Sequence, residues 1–254
     1  MEHETCLPAR VDGSFRPTDL PAHDRQATLG RGIWRLMTLL IDPTDPLAVW
    51  NDSLPAWVIH RPEASRVERT LRRHDIAEAA IKLVCETGLE GLTLRRLAAA
   101  MDCSTTTINH HFADRRELWI AVYRKVILRT QARIRRSYEE TGGSPLACAL
   151  AQMPIDQESR EDWHIYLAQY HLACTDPDVA HEERVQVRIA SRDFAELLHK
   201  EHGLPREKAR RASRQIVTLL VGIATQAMFE PRSWSPRRQK KFLEDQFSLL
   251  GLPI

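Results

Sequence analysis

Residues Leu92 to Leu118 read LTLRRLAAAMDCSTTTINHHFADRREL, and this segment predicts two short helices joined by a tight turn. Thr93 is suited to cap the first helix, and Ser104 to cap the second. The turn between them spans residues 102–104, where Asp favours a tight bend and Cys103 can point inward. The inward face of the first helix repeats at i, i+3, i+4 and i+7 through Leu94, Leu97, Ala98 and Met101.

The second helix, residues 105–110, has one large apolar residue, Ile108, which is expected to hold it against the core. Threonines are poor helix formers, so helix propensity does not explain three of them in a row. Their methyl and hydroxyl groups can contact thymine methyls, base edges and phosphates, and Asn can pair with adenine or a phosphate oxygen. The pattern indicates a helix that lies in a DNA groove; the alternative is a polar surface helix of an ordinary all-α domain. The residues expected to face outward are Thr105, Thr106, Thr107, Asn109 and His110.

Positive charge is concentrated around this segment. Residues 61–136 hold sixteen Lys and Arg against nine Asp and Glu, a net charge of +7, whereas the whole chain carries a formal charge of +2. A local excess of that kind favours binding to the phosphate backbone. A solvated basic face is the alternative explanation.

Composition excludes several other classes of protein. The 254 residues include no apolar run that approaches the roughly twenty needed to span a bilayer, and no leader pattern begins the chain, so we expect a cytoplasmic protein without membrane contact. Five scattered cysteines without a CxxC predict neither a disulfide framework nor a zinc site. The histidines lack metal-ligand spacing, and no nucleophile with a recognisable partner or phosphate-binding loop is present. We therefore expect no metal, no cofactor and no enzymatic activity.

The order of the chain predicts an all-α protein of about nine helices in two domains, preceded by an extension. Residues 1–64 form an N-terminal extension that is largely irregular, with seven of the fourteen prolines and one plausible helix over residues 26–40. Residues 65–113 are the expected helix-turn-helix domain. Residues 114–254 are the expected helical ligand-binding and dimerisation domain. It is expected to begin with a long helix that Asp114 caps. Prolines and glycines divide its remainder into helices near 145–153, 157–175, 178–202, 205–230 and 236–250.

The segment around the turn resembles the helix-turn-helix of the TetR family of transcriptional regulators, and the preceding RRHDIAEAAIKLVCETGLEGLT resembles that family's first helix. The resemblance covers about fifty residues and departs from the family pattern in four places. Asp102 stands where Gly is usual, Thr106 where a small Gly is common, Asn109 where Tyr is usual, and Arg115 for Lys. The residues that stand at the family's spacing are Gly88, Thr93, Leu97, Ala98, Ser104, His111, Phe112, Leu118 and, as a basic residue in place of Lys, Arg115.

The C-terminal part is similar, more loosely, to BetI-type regulators, which respond to choline. The similarity lies in a Trp-containing helix that ends at Thr-Asp-Pro, in a Leu-Pro-Arg-Glu helix start at residues 204–207, and in the LLVGI segment at 219–223. Relatives often have Asp-Gly-Leu where this chain has Val221-Gly222-Ile223. A carboxylate that could meet a cationic ligand is therefore absent from that segment.

Aromatic residues in this part suggest a ligand pocket. Trp163, Tyr166 and Tyr170 are spaced i, i+3, i+7 and could form a cage for a quaternary amine. Trp119, Phe194 and Met228 are the other candidates for its walls. The alternative is an aromatic stripe buried as ordinary core.

The last two helices carry long apolar sets, which predict a homodimer through a four-helix bundle. The alternative is that these sets face the subunit's own core. They comprise Ile216, Leu219, Leu220, Ile223 and Ala227 on one helix and Phe242, Phe247, Leu249 and Leu250 on the other.

Residues and resemblance together predict a ligand-responsive repressor that binds a palindromic double-stranded DNA operator as a homodimer. Two other classes stay open: a helical metal- or redox-sensing protein, and a relative that binds protein instead of DNA. We expect Thr105, Thr106 and His110 to contact mainly bases. The residues expected at phosphates are Thr93, Arg95, Asn109, His111 and Arg115, and Ser104 and Thr107 complete the expected DNA surface.

Overall fold

The computed structural model describes the backbone of residues 63–254 and the side chains from residue 72 onward. The expectations for residues 1–62, including the helix over 26–40, lie outside the described residues. Within residues 63–254 the chain forms nine α-helices and no strand, as the sequence predicts. The helices are α1 (Glu63–Thr87), α2 (Leu94–Ala100), α3 (Thr105–His111), α4 (Arg115–Thr141), α5 (Pro145–Leu150), α6 (Gln157–Ala173), α7 (Pro177–Glu196), α8 (Arg206–Phe229) and α9 (Pro236–Leu249).

Local sequence explains where the helices begin. Pro145, Pro177 and Pro236 each open a helix, because proline's fixed φ suits the first turn and its missing N–H would have no partner there. The side chains of Thr93 and Ser104 accept hydrogen bonds from the backbone N–H groups of Arg96 and Thr107. These caps replace bonds that the first turn of a helix otherwise lacks.

The turn between α2 and α3 contains Asp102 in the left-handed region, with φ 48°. This is the single non-glycine residue with positive φ among residues 63–254. The Cys103 N–H closes the turn by donating to the Ala98 carbonyl at 2.9 Å. Asp therefore adopts the backbone conformation that Gly usually supplies, at modest cost.

Two apolar clusters form the interior. The first joins α1 to α4 around Ile76, Ile108 and Phe112, and it includes Ile165 of α6 and Val179 of α7. The second joins α5 to α9 around Met153 and Phe247. Because α4 packs in both clusters, the division at residues 113 and 114 stays a prediction. Among residues 63–254, none of the helices combines the length and the apolar composition that a membrane-spanning helix needs.

Candidate DNA-binding surface and ligand cavity

Helix α3 packs against the core on one side and is exposed to solvent on the other. Ile108 is fully buried and Phe112, just after the helix, is 2% exposed. Four of the predicted DNA-contacting residues, Thr105, Thr106, Asn109 and His110, are exposed. Thr107, the fifth residue of the helix that was expected to face outward, is half-buried, and its hydroxyl oxygen lies 3.0 Å from that of Ser104.

Three of the five residues predicted to contact phosphates lie outside α3, on the segments that flank it. Thr93 and Arg95 are exposed at the start of α2, and Arg115 is exposed in the first turn of α4. The Arg115 guanidinium donates to the Leu89 carbonyl at 3.2 Å, so this side chain is partly held before any DNA is bound. His111 is half-buried at the end of α3.

Arg73 of α1 joins three parts of this surface. Its side chain is 4% exposed and pairs with Glu117 of α4 at 2.7 Å. It also donates to the His111 carbonyl at the end of α3 and lies over the Phe112 ring, 4.2 Å from the centroid. Sequence reasoning missed Arg73, since its partners lie 38 and 44 residues away along the chain.

A cavity of about 170 Å³ lies among α4, α6, α7 and α8. Of the six predicted pocket residues, Trp163, Tyr166, Tyr170 and Phe194 line it. Trp119 does not, because its indole N–H donates to Gln169 at 2.7 Å in the first apolar cluster. Met228 packs against the second cluster and is not part of the wall either. The predicted aromatic wall therefore narrows to residues of α6 and α7.

The cavity also contains two carboxylates that sequence reasoning did not find. Asp193 pairs with Arg192 at 2.9 Å. Glu183 accepts a hydrogen bond from the Tyr123 hydroxyl at 2.5 Å, and within residues 72–254 it forms no ion pair with Lys or Arg. Burial raises the pKa of Glu183, an effect that the Tyr123 hydrogen bond only partly offsets. Glu183 therefore supplies the kind of group that the 221–223 segment lacks.

Charged residues connect the cavity helices to the helix-turn-helix. Asp162 of α6 is fully buried and lies 3.1 Å from Arg129 and 2.7 Å from Arg133, both on α4. Arg129 also pairs with Glu78 of α1. On the other side of α4, Arg124 pairs with Glu182 of α7 at 3.0 Å. Glu182 is next in sequence to Glu183 of the cavity.

The apolar residues predicted to form the dimer face fall into a buried group and a more exposed group. Most of their members are buried within the subunit, namely Ile216, Leu220, Ile223, Ala227 and Phe247. These five residues therefore face the subunit's own core, which was the alternative to a dimer face. The remaining members are half-buried or exposed, and Leu249 is 78% exposed. In the described part of the chain, no group of three or more His, Cys, Asp and Glu side chains is arranged to hold a metal ion.

Comparison with known proteins agrees with this architecture. The family model described as "Bacterial regulatory proteins, tetR family" matches residues 76–122, and that of the "BetI-type transcriptional repressor, C-terminal" matches residues 146–250. The chain belongs to the TetR family. It is a DNA-binding transcriptional repressor rather than an enzyme, since both matched models describe regulatory proteins.

Individual relatives cover different parts of this TetR-family chain. The transcriptional repressor AcnR of Corynebacterium diphtheriae is 39% identical over 64 residues, which are 25% of this chain and 34% of that repressor, so the match spans only about a third of its length. The regulator BetI of Paraburkholderia xenovorans is 28% identical over 159 residues, which are 61% of this chain and 80% of BetI.

A solved structure has the same fold. It is a transcriptional regulator from Saccharomonospora viridis in complex with choline, with a TM-score of 0.60 and 17% identity. The superposition covers 70% of this chain and 96% of that one.

Proposed function

We propose that the repressor binds a palindromic operator as a homodimer, with α3 of each subunit in a major groove. The observation that carries this proposal is the exposure of Thr105, Thr106 and Asn109 on a helix that Ile108 and Phe112 hold from behind. One seven-residue helix contacts too few bases to select a site in a genome. A two-fold pair of such helices selects an inverted repeat.

The base contacts come from Thr105, Thr106 and His110 at the exposed face of α3. The phosphate contacts come from residues of α3 and of the segments on either side of it, which position the helix without choosing the sequence. These are Thr93, Arg95, Asn109, His111 and Arg115, with Ser104 and Thr107 at the start of the helix. Since the excess positive charge lies around this surface, operator affinity decreases as salt increases.

The homodimer forms through the outer faces of α8 and α9. Leu219 and Phe242 are half-buried and Leu249 is exposed, so each subunit retains an apolar strip on these helices. Gly222 is exposed on α8 and has nothing within 4 Å of the position of a Cβ, which leaves room for a close helix from a partner. Pairing two such strips buries apolar surface that the monomer leaves in water.

The effector is a small organic cation that enters the cavity of α4, α6, α7 and α8. Trp163, Tyr166 and Tyr170 offer aromatic faces, which attract cations, and Glu183 supplies a carboxylate without a cationic partner among the described residues. The similar regulator from Saccharomonospora viridis holds choline, which fits this ligand class. A quaternary amine is therefore the first compound to test.

Selection of bound DNA from a random pool, at two salt concentrations, tests operator binding. We expect an enriched inverted repeat whose affinity decreases at the higher salt. If no sequence is enriched, the proposed operator recognition is wrong.

Choline and its neutral analogue 3,3-dimethylbutan-1-ol test the effector class. The analogue has the same shape with carbon in place of nitrogen. We expect choline to release the enriched DNA and the analogue to release it only at much higher concentration. Equal effects of the two compounds would contradict a cationic effector.

A further inference from the structure

The exposed face of α3 has a narrow chemical composition. Thr105 and Asn109 are spaced i, i+4, as are Thr106 and His110, so the four exposed side chains form two adjacent rows. Three of them are short and uncharged. Such side chains let the helix backbone come close to the floor of a groove, where they meet the base edges directly.

This face lacks the side chains that most often select guanine. Arg and Lys bind the O6 and N7 atoms of guanine in the commonest base contact of the major groove. No residue from 104 to 111 is Arg or Lys. The neighbouring arginines lie on other helices: Arg95 and Arg96 on α2, which in this motif crosses the backbone, and Arg115 on α4, where it donates to the Leu89 carbonyl.

The threonines on this face offer methyl groups and uncommitted hydroxyls. The Thr107 hydroxyl lies beside the hydroxyl of Ser104, whereas those of Thr105 and Thr106 have no hydrogen-bond partner in the described part of the chain. A threonine methyl packs well against the C5-methyl group of thymine, which projects into the major groove. Asn109, exposed in the row of Thr105, has the donor and acceptor that match N7 and N6 of adenine.

We propose that α3 recognises mainly A·T base pairs, with Thr105 and Thr106 against thymine methyls and Asn109 on an adenine edge. Guanine is expected mainly opposite His110, whose ring N–H can donate to it and which offers no methyl group to thymine. This inference rests on the proposed operator binding and adds the chemical class of the bases. It moves Asn109 from the phosphates to a base.

Deoxyuridine tests the methyl contacts directly, because it differs from thymidine only by the C5-methyl group. The operator is first obtained with the full-length protein by selection from a random pool. Each thymidine in the enriched half-site is then replaced in turn by deoxyuridine, and the dissociation constant is measured by fluorescence anisotropy. Loss of one methyl contact is expected to weaken binding by about fourfold at one or two positions of each half-site.

A variant connects this loss to a particular residue. Thr106→Ser keeps the hydroxyl and removes only the methyl group. If Thr106 packs on a thymine, the variant is insensitive to deoxyuridine at that position. Thr175→Ser is the matched control, since it removes the same methyl group from an exposed threonine that lies between α6 and α7, outside the proposed DNA surface. In the control the ratio of thymidine to deoxyuridine affinity stays at the wild-type value.

A second substitution tests Asn109. Replacement of adenine by 7-deazaadenine removes the N7 acceptor and leaves base pairing intact. We expect this change to weaken wild-type binding about tenfold at one position and to leave Asn109→Ala unaffected there.

The outcomes separate this inference from the proposed function. An inverted repeat with A·T pairs inside each half-site, and methyl losses that Thr106→Ser removes, supports both. An inverted repeat with G·C pairs at those positions overturns the proposed recognition of A·T pairs and leaves operator binding in place. An affinity that is unchanged by deoxyuridine and by 7-deazaadenine does the same. Enrichment of no sequence overturns both.

Discussion

Replacing Asp162 by Ala is the most direct test of how α1, α4 and α6 are held together. The Asp162 carboxylate is fully buried and lies between Arg129 and Arg133, whose side chains are 14% and 12% exposed. Arg129 keeps its pair with Glu78 when Asp162 is removed. Arg133 keeps only Glu158, at 3.9 Å and 58% exposed, so it becomes a nearly buried cation without a close anion.

The size of the effect follows from this geometry. Removing one partner of a buried ion pair destabilises a protein by about 3–5 kcal/mol. The lower end applies here, because Arg133 is slightly exposed and still donates to the Ala151 carbonyl and the Thr130 hydroxyl. A loss of about 3 kcal/mol corresponds to a decrease in Tm of roughly 6–12 °C for a protein of this size.

Thermal and urea unfolding at pH 7 and a fixed protein concentration measure this loss. The concentration is fixed because the proposed dimerisation would make the measured stability depend on it. Glu139→Ala is the control: it removes an exposed carboxylate that pairs with Arg135 one turn away on α4, and it should cost less than about 0.5 kcal/mol. Should Asp162→Ala cost no more than Glu139→Ala, the buried pairs contribute no net stability and the reasoning is refuted.

Three further predictions concern DNA, ligand and pH. Arg115→Ala is expected to weaken binding to all DNA sequences alike and to reduce the slope of log affinity against log salt by about one, as measured by anisotropy titrations. Glu183→Gln should weaken choline binding at least about tenfold by calorimetry. Wild-type choline affinity should also decrease as the pH falls towards the raised pKa of Glu183, whereas the variant stays constant. Burial and the neighbouring Lys125 lower the pKa of His74. As the pH falls, the imidazole of His74 is therefore protonated in the unfolded chain at a higher pH than in the folded one. Stability should therefore decrease as the pH falls below about 6.5, less steeply in His74→Gln, as measured by urea midpoints.

Each of these results has a contrary outcome. An Arg115→Ala variant that loses affinity only for the selected operator would show a base contact. A choline affinity that is unchanged in Glu183→Gln would place the cation elsewhere or show that the effector is of another class. If the stability of His74→Gln had the same pH dependence as that of the wild type, groups other than His74 would be responsible for it.

Local sequence was sufficient to predict the helices. Proline at the first position and a side chain that caps the first turn act within four residues, so the starts at Pro145, Pro177 and Pro236 could be placed to within one residue from sequence alone. The exposed face of α3 followed from Ile108, the single large apolar residue of residues 105–110. The sequence did not predict features that depend on less local contacts, such as the π-helical turn over Leu197–Glu201.

The ligand cavity shows where sequence reasoning ends. Spacing placed Trp163, Tyr166 and Tyr170 on one helix, but it could not show that Trp119 turns towards Gln169. Glu183 could not be found either, because its role depends on the approach of α7 to Tyr123 of α4, which is 60 residues earlier in the chain. Periodicity gives the face of a helix and not the neighbour that covers it.

The position of Arg73 has a consequence for how this repressor can be switched. One buried guanidinium ties the end of α3 to α1 and to the first turn of α4, and it does so through a carbonyl, a carboxylate and an aromatic ring. In the proposed homodimer we therefore expect each DNA-binding unit to move as a rigid body when an effector changes the position of α4. An effector would leave the shape complementary to each half-site unaltered and would change only the separation and angle between the two halves, so induced and free repressor should prefer the same half-site sequence while tolerating different spacers.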